Sequence, residues 1–237
     1  DLHSFPTRRS SDLHIVAVRN LFRNKVHSFI NIAGLSAGIA VAMLIGLWVW
    51  DELSFNQTHA NYPRIAQLMR HANYEGQKGT NNNLPYPLTI ALKTKYAEHF
   101  KHIITARQAE EFDISAGENK ISKTGQFIDD GAPEMLTLKM LKGSRAGLKQ
   151  LHSIMLSAST AKALFGDADP MNQSVKINNR IDATVSGVYE DLPLNSAFHN
   201  VQFFAPFDLD VVSNPWVKQQ SWDNQFLYLY GDRKSVV

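Results

Sequence analysis

Two histidines, His99 and His102, stand three residues apart, a spacing that can begin a metal site. No third ligand with metal spacing accompanies them, and cationic side chains are favourable at a helix C-terminus without any metal. They are read as a solvated helix end. Asp129, Asp130 and Glu134 could hold a cation or share an acid/base proton, but capping of a loop and a solvated face explain them more cheaply. Gly34-Leu35-Ser36-Ala37-Gly38 spells the nucleophile pattern G-x-S-x-G. That pattern works only where a strand–turn–helix lifts the serine, and Ser36 lies inside an unbroken apolar run. The absence of cysteine removes thiol chemistry, disulfides and thiolate metal ligands. No G-x-x-x-x-G-K-[ST] occurs, so ATP binding by that route is not expected. Asn56-Gln57-Thr58 and Asn172-Gln173-Ser174 match glycosylation sequons and are read as chance matches. The residues thus point to no catalytic group, no cofactor and no metal, and the chain is not expected to be an enzyme.

The element that must position everything else is the run Val26 to Trp50, which carries no Asp, Glu, Lys or Arg. As a helix it reaches about 37 Å, enough to cross a hydrocarbon core about 30 Å thick. Gly34, Gly38, Ala42 and Gly46 recur at every fourth residue and form a smooth ridge suited to close helix packing. Residues 14–25 read as an interfacial amphipathic helix, with Ile15, Val18 and Phe22 on one face. Arg19, Arg23 and Lys25 precede the span, whereas Asp51 and Glu52 follow it as solvated interface residues. The positive-inside rule therefore places the N-terminus in the cytoplasm and the later residues outside, with Trp48 and Trp50 in the outer aromatic belt. A retained anchor is favoured over a cleaved signal peptide, because the run is too long and lacks an A-x-A-like end.

The formal net charge of +2 over 237 residues gives no argument for nucleic acid. A mean hydropathy of -0.24 means that the apolar content is concentrated in the anchor and the rest lives in water. Residues 51–230 are expected to form a mixed α+β domain, as one core or two packed lobes. A strand is expected over Arg64–Asn73, a loop over Gly76–Asn83, and a helix opened by Pro85 and Pro87 with Leu88, Leu92, Tyr96 and Phe100 as its core face. Strands follow over 103–108, 111–116 and 120–128, then a short helix at Ala132–Leu136 capped by Asp129 or Asp130. Ser157 is expected to cap a helix that Gly166 ends. Asn178-Asn179 should turn a hairpin between Val175–Asn178 and Ile181–Glu190. Val201, Phe203, Ala205 and Phe207 alternate along one strand face, and Phe226–Tyr230 is a last apolar run. Residues 1–13 and 231–237 resemble translated sequencing-adapter sequence and are set aside as non-native, so the natural protein is expected to extend beyond both.

Three blocks carry a family resemblance. VRNLFRNKVHSFINIAGLSAGIAVAMLIGLWVWDELSF (18–55) resembles the opening of bacterial MacB-like/FtsX-like ABC transporter permeases. IMLSASTAKALFGDADPMNQSVKIN (154–178) and VSGVYEDLPLNSAFH (185–199) are similar to their periplasmic core domain, in the long version found in Bacteroidetes-type bacteria. Residues 157–165 and 187–193 within them read as packing and turn chemistry, with a small residue needed at Gly187. The resemblance implies a permease subunit of a type VII ABC transporter in the bacterial inner membrane. It further implies a separate cytoplasmic ABC ATPase as partner, a homodimer or pseudodimer in the full-length protein, membrane lipid around the span, a periplasmic adaptor as a further partner, and no nucleic acid. The family acts in efflux, lipoprotein release or control of envelope enzymes. The rival readings are a single-pass anchored sensor or binding domain and, last, an anchored envelope enzyme.

Overall fold

A computed structural model of the chain describes residues 18–19, 22–74, 76–219 and 221–234. Residues 1–13, Ile15 and the last three residues, on which parts of the reading above rest, lie outside the described residues. The chain divides into two units, residues 1–53 and 54–237. The first is dominated by helix α1 (Lys25–Ser54), none of whose residues is buried. Its thirty residues make about 45 Å of helix, and it is long and apolar enough to cross a membrane. Val18, Arg19, Phe22 and Arg23 ahead of it are helical and exposed.

The second unit mixes strands and short helices: β1 (Ile65–Gln67), β2 (Arg70–Tyr74), β3 (Gln77–Asn81), β4 (Leu84–Pro85), α2 (Tyr86–Lys95), β5 (Phe100–Arg107), β6 (Glu110–Ala116), β7 (Asn119–Ile128), α3 (Ala132–Met135), β8 (Met140–Gly143), β9 (Ser153–Ser157), α4 (Ala158–Phe165), β10 (Ser174–Ile177), β11 (Ile181–Tyr189), β12 (Phe203–Pro206), α5 (Phe207–Ser213) and β13 (Gln225–Arg233). The expected α+β class is the one observed. Six of the strands pair in a closed ring, β7-β12-β9-β11-β10-β6 and back to β7. From β7 the sheet continues outward through β5 and β13 to β1. β7 belongs to both parts because it is long. Its first seven residues pair with β6, and its last residue, Ile128, pairs with Ala106 of β5.

Successive side chains of a strand face opposite sides, and the two main cores follow from that. Ile154, Leu156, Phe203 and Ala205 join one cluster with residues from every strand of the ring and with Ala161 and Leu164 of α4. Met155 and Phe204, the residues between them, join the other cluster with Ile104, Ile128, Met135 and Tyr189. β11 changes phase midway: Ala183 and Val185, then Val188, face the ring core. A bulge at Ser186 makes the change, since Val185 pairs with Ile154 and Gly187 with Met155. One extra residue moves the remaining side chains to the other face. The small residue expected at Gly187 has a reason here, for a Cβ would lie 2.9 Å from Met140 Cε.

Several expectations hold and several need correction. Ser157 caps α4 by accepting from the Thr160 N–H at 3.3 Å, and Gly166 ends it at φ +60°. Asn178 and Asn179 turn the β10–β11 hairpin with positive φ at both. The expected single strand over 64–73 is instead two, β1 on the large sheet and β2 in a separate hairpin with β3. That hairpin occupies the expected 76–83 loop, because an open backbone run with a paired neighbour needs no apolar side chains. Phe100 lies in β5 rather than on α2, Tyr96 is exposed, and Thr89 is the fully buried residue of that helix. Asp129 does not cap α3 with its side chain. It accepts from the Thr105 N–H at 2.8 Å and pairs with Lys93 at 2.6 Å. Phe207 starts α5 instead of extending β12, and Val201 precedes the strand. β13 runs on through Gly231–Arg233, into the stretch set aside above.

Phe203 lies flat across its cross-strand partner Gly125, where an added Cβ would fall 1.9 Å from the ring. Gly125→Ala should lower stability by about 1–3 kcal/mol through overpacking, read as a fall in the urea midpoint of the detergent-solubilised chain. Gly79→Ala, whose methyl meets nothing within 4 Å, should change it by less than about 0.5 kcal/mol. Equal shifts would show that the ring does not depend on this contact.

Candidate functional site

Several of the polar residues that follow α1 make specific contacts within the domain. Asn56 takes φ +62°, a conformation asparagine tolerates better than most residues. Its N–H donates to the Asn195 carbonyl at 2.7 Å, and its Oδ1 accepts from the Ala197 N–H at 2.7 Å. Asn195 Nδ2 in turn donates to Ser54 Oγ at 3.1 Å. The sequon-like match at Asn56 is thereby explained as turn chemistry.

Three residues later the same segment closes a helix end. The last carbonyls of a helix have no partners within it, and α3 is followed by Thr137 at φ +51°. Asn61 Nδ2 donates to the Glu134 and Met135 carbonyls at 3.2 and 3.0 Å. His59 Nδ1 donates to the Leu136 carbonyl at 2.6 Å. Arg145 serves the Thr137 and Leu138 carbonyls from the other direction, at 3.1 and 2.8 Å. The Ala60 N–H reaches Thr137 Oγ1 at 3.0 Å. Residues 134–138 are thus held between a segment some 75 positions upstream and an arginine just downstream. Arg64 continues the chain of contacts, donating to Asn61 Oδ1 at 2.6 Å and pairing with the wholly buried Asp232 at 3.3 Å.

His59 is buried, and burial pushes its pKa below the usual 6.5, against a smaller opposing effect of the Leu136 carbonyl. A carbonyl only accepts, so Nδ1 carries the proton and Nε2 accepts from Ser196 Oγ–H at 3.0 Å. The ring also walls a cavity of about 140 Å³ with Tyr62, Ile65, Leu136, Phe198 and Tyr230.

The sequence-derived candidates lie elsewhere. Gly34, Gly38, Ala42 and Gly46 all sit on α1, and a Cβ added at Gly34, Gly38 or Gly46 meets nothing within 4 Å. Arg19, Arg23 and Lys25 are exposed, as are Trp48 and Trp50 on α1. His99 ends a 3-10 turn beside Glu98, whereas His102 points from β5 toward Gly131. Glu134 pairs with Lys101 and Arg145, at 3.8 Å each. Among the described residues no three His, Cys, Asp or Glu side chains converge as metal ligands. A cleft of about 460 Å³ mixes Lys93, Lys101 and Lys149 with Asp129, Asp130 and Asp208, so it favours neither charge sign. Sequence reasoning missed the 54–64 contacts altogether. It also missed that the two quoted domain blocks touch, where Asp191 accepts from the Ser159 N–H and hydroxyl at the start of α4.

A membrane-crossing helix leading into a periplasmic-type mixed domain defines an anchored envelope protein. The chain belongs to the MacB-like periplasmic core domain family, whose model matches residues 28–230, and this family is that of ABC-transporter permeases of the MacB/FtsX type. No curated protein matches it significantly. Among solved structures, a domain assigned to a permease protein of Porphyromonas gingivalis is similar at 15% identity and TM-score 0.62, over 75% of this chain and 76% of that one. The periplasmic region of MacB from Actinobacillus actinomycetemcomitans is similar at 15% identity and TM-score 0.52, over 73% and 76%. The extracellular domain of the noncanonic ABC-type transporter YknZ from Gram-positive bacteria is similar at 14% identity and TM-score 0.51, over 72% and 84%. At these identities the likeness concerns the fold.

The His59 contacts fix a pH dependence. The unfolded ring protonates near 6.5, the folded ring only at lower pH, so below about 6.5 the unfolded state binds more protons. Stability should fall as pH drops through that window, and His59→Gln should flatten the slope. Asn61→Ala should cost roughly 1–3 kcal/mol by taking the donor from the Met135 carbonyl. Urea unfolding of the detergent-solubilised chain at pH 7.5 and 5.5 measures both. An unchanged slope in His59→Gln would remove the ring from this account.

Proposed function

We propose that the chain is the anchor and periplasmic core of a type VII ABC transporter permease, in which ATP hydrolysis by a separate cytoplasmic ATPase drives conformational change outside the membrane for efflux or envelope-related export. The observation that carries the reading is the family match, which spans residues 28–230, from within α1 into β13. The contacts of Asn56, His59 and Asn61 supply a physical route for such coupling. They tie the residues next to the anchor to the Asn195–Ala197 loop and to the turn at 134–138 by several directed hydrogen bonds, so a displacement at Ser54 is passed on instead of being absorbed by slack chain. In this reading the Gly34, Gly38, Ala42 and Gly46 ridge packs against another membrane helix of the full-length permease, within a homodimer or pseudodimer. Arg19, Arg23, Lys25, Trp48 and Trp50 hold the anchor at its two interfaces.

The full-length protein should co-purify with an ATPase subunit, and disabling that subunit's ATP site should abolish the ATP-dependent change in protease sensitivity of the periplasmic domain. No association, together with a protease pattern indifferent to the ATP site, would overturn the proposal. Gly38→Ile should reduce helix association in the bilayer, seen as lower energy transfer between labelled copies of the full-length permease, while Leu35→Ile should not. Equal transfer in both would take the ridge out of the assembly.

A further inference from the structure

Leu194 is 85% exposed in a tightly held loop. It is the second residue of a turn closed by the Ser196 N–H donating to the Pro193 carbonyl at 3.0 Å. Such corners usually carry Gly, Asn, Asp, Ser or Pro. The turn is not free to fold its leucine away. Asn195 is bonded to Ser54 Oγ and takes the Asn56 N–H, Ala197 donates to Asn56, and Ser196 is bonded to His59. Phe55, next to Ser54, is also exposed, at 41%. Across Leu53–Thr58 and Leu192–Phe198 no side chain is ionisable.

The depth of this patch follows from the chain itself. Ser54 lies four residues beyond Trp50, about 6 Å along a helix. The headgroup layer outside the hydrocarbon is itself about 5–7 Å thick. With Trp50 in the outer aromatic belt, as the sequence reading expects, Ser54 ends the helix at headgroup level, and the Leu194 turn is hydrogen-bonded to Ser54.

We infer that the Pro193–Ser196 turn is a lipid-contacting wedge, with Leu194 and Phe55 entering the outer headgroup region of the bilayer. An uncharged rim loses little on leaving water, and two exposed apolar side chains gain by it. The inference depends on the membrane-crossing helix and holds whether or not an ATPase drives the protein.

The chain has no cysteine, so a single introduced thiol can be labelled uniquely. Leu194→Cys, carrying an environment-sensitive fluorophore, is placed in the full chain reconstituted in phosphatidylethanolamine/phosphatidylglycerol vesicles. Asp167→Cys, at a side chain 96% exposed, is the reference. Emission at position 194 should shift to the blue, be quenched by headgroup nitroxide lipid, and resist aqueous iodide relative to position 167. Phe55→Cys should behave as position 194 does. Equal iodide quenching at 194 and 167 with no lipid quenching would overturn the wedge. So would shielding from iodide that arises only on adding a partner protein, with lipid nitroxide still without effect.

Discussion

The carbonyls of residues 134–138 constrain the rest of the arrangement. The turn after α3 closes the Ala132, Pro133 and Glu134 carbonyls on its own N–H groups, but the Met135 carbonyl and those of residues 136–138 take donors from outside it, and that turn passes through a left-handed threonine. A β-branched residue there is strained, and the strain persists only because neighbours hold it. His59, Asn61 and Arg145 are those neighbours. The segment entering the domain is therefore part of the domain's own hydrogen-bond accounting rather than a tether attached to a finished fold. Pulling it away would take donors from three carbonyls, those of Glu134, Met135 and Leu136, and free the Thr137 hydroxyl together.

The ring of strands reaches a different kind of constraint, one of space. The Ser186 bulge needs backbone room, and Gly143 and Gly147 supply it: a Cβ at Gly143 would lie 2.4 Å from the Ser186 carbonyl oxygen. Gly125 makes room for Phe203, which then meets Phe112 edge-on at 5.6 Å. Gly231 does the same under the Phe100 ring. In each case a missing side chain on one strand is filled from its neighbour, so the pairing register and the packing enforce each other. Tyr189, past the bulge, completes this by donating its hydroxyl to the Val201 carbonyl at 2.9 Å from a fully buried position.

What the sequence disclosed is what short-range physics decides. The anchor, the Ser157 cap, the Gly166 stop and the Asn178-Asn179 turn each depend on a few adjacent residues, and each stands where it was read. The sequence does not announce the β2–β3 hairpin because β3 is polar and exposed on both faces and carries no alternation. Phe100 was placed on a helix because its four-residue spacing from Tyr96 continues a helical pattern that the backbone leaves after Lys95. The 54–64 contacts were beyond reach for another reason. Their long-range partners lie from 73 positions away, for Asn61 and Glu134, to as far as Asp232 for Arg64, and Asn, His and Ser look like ordinary loop residues until the fold brings acceptors to them. A faint signal did exist: five side chains able to hydrogen-bond within the six residues 56–61, soon after a membrane helix, where a flexible linker would need none.

The chemistry of those contacts also fits their place. Ser54, Asn56, His59, Ala60 and Asn61 make the contacts described above as neutral groups, whereas the ion pair of Arg64 with Asp232 comes ten residues past Ser54. Close to a bilayer, a charged donor must shed hydration on the low-dielectric side, and its pairing energy does not reliably return that cost. A neutral amide, hydroxyl or imidazole gives the same direction with a smaller desolvation penalty. His59 meets this condition only while it is uncharged, and burial holds it so near neutral pH. The hydrogen bonds of residues 54–61 thus fix this segment by geometry between neutral groups, and its buried ion pair comes further on, where the Asp232 carboxylate meets the Arg64 guanidinium inside the protein.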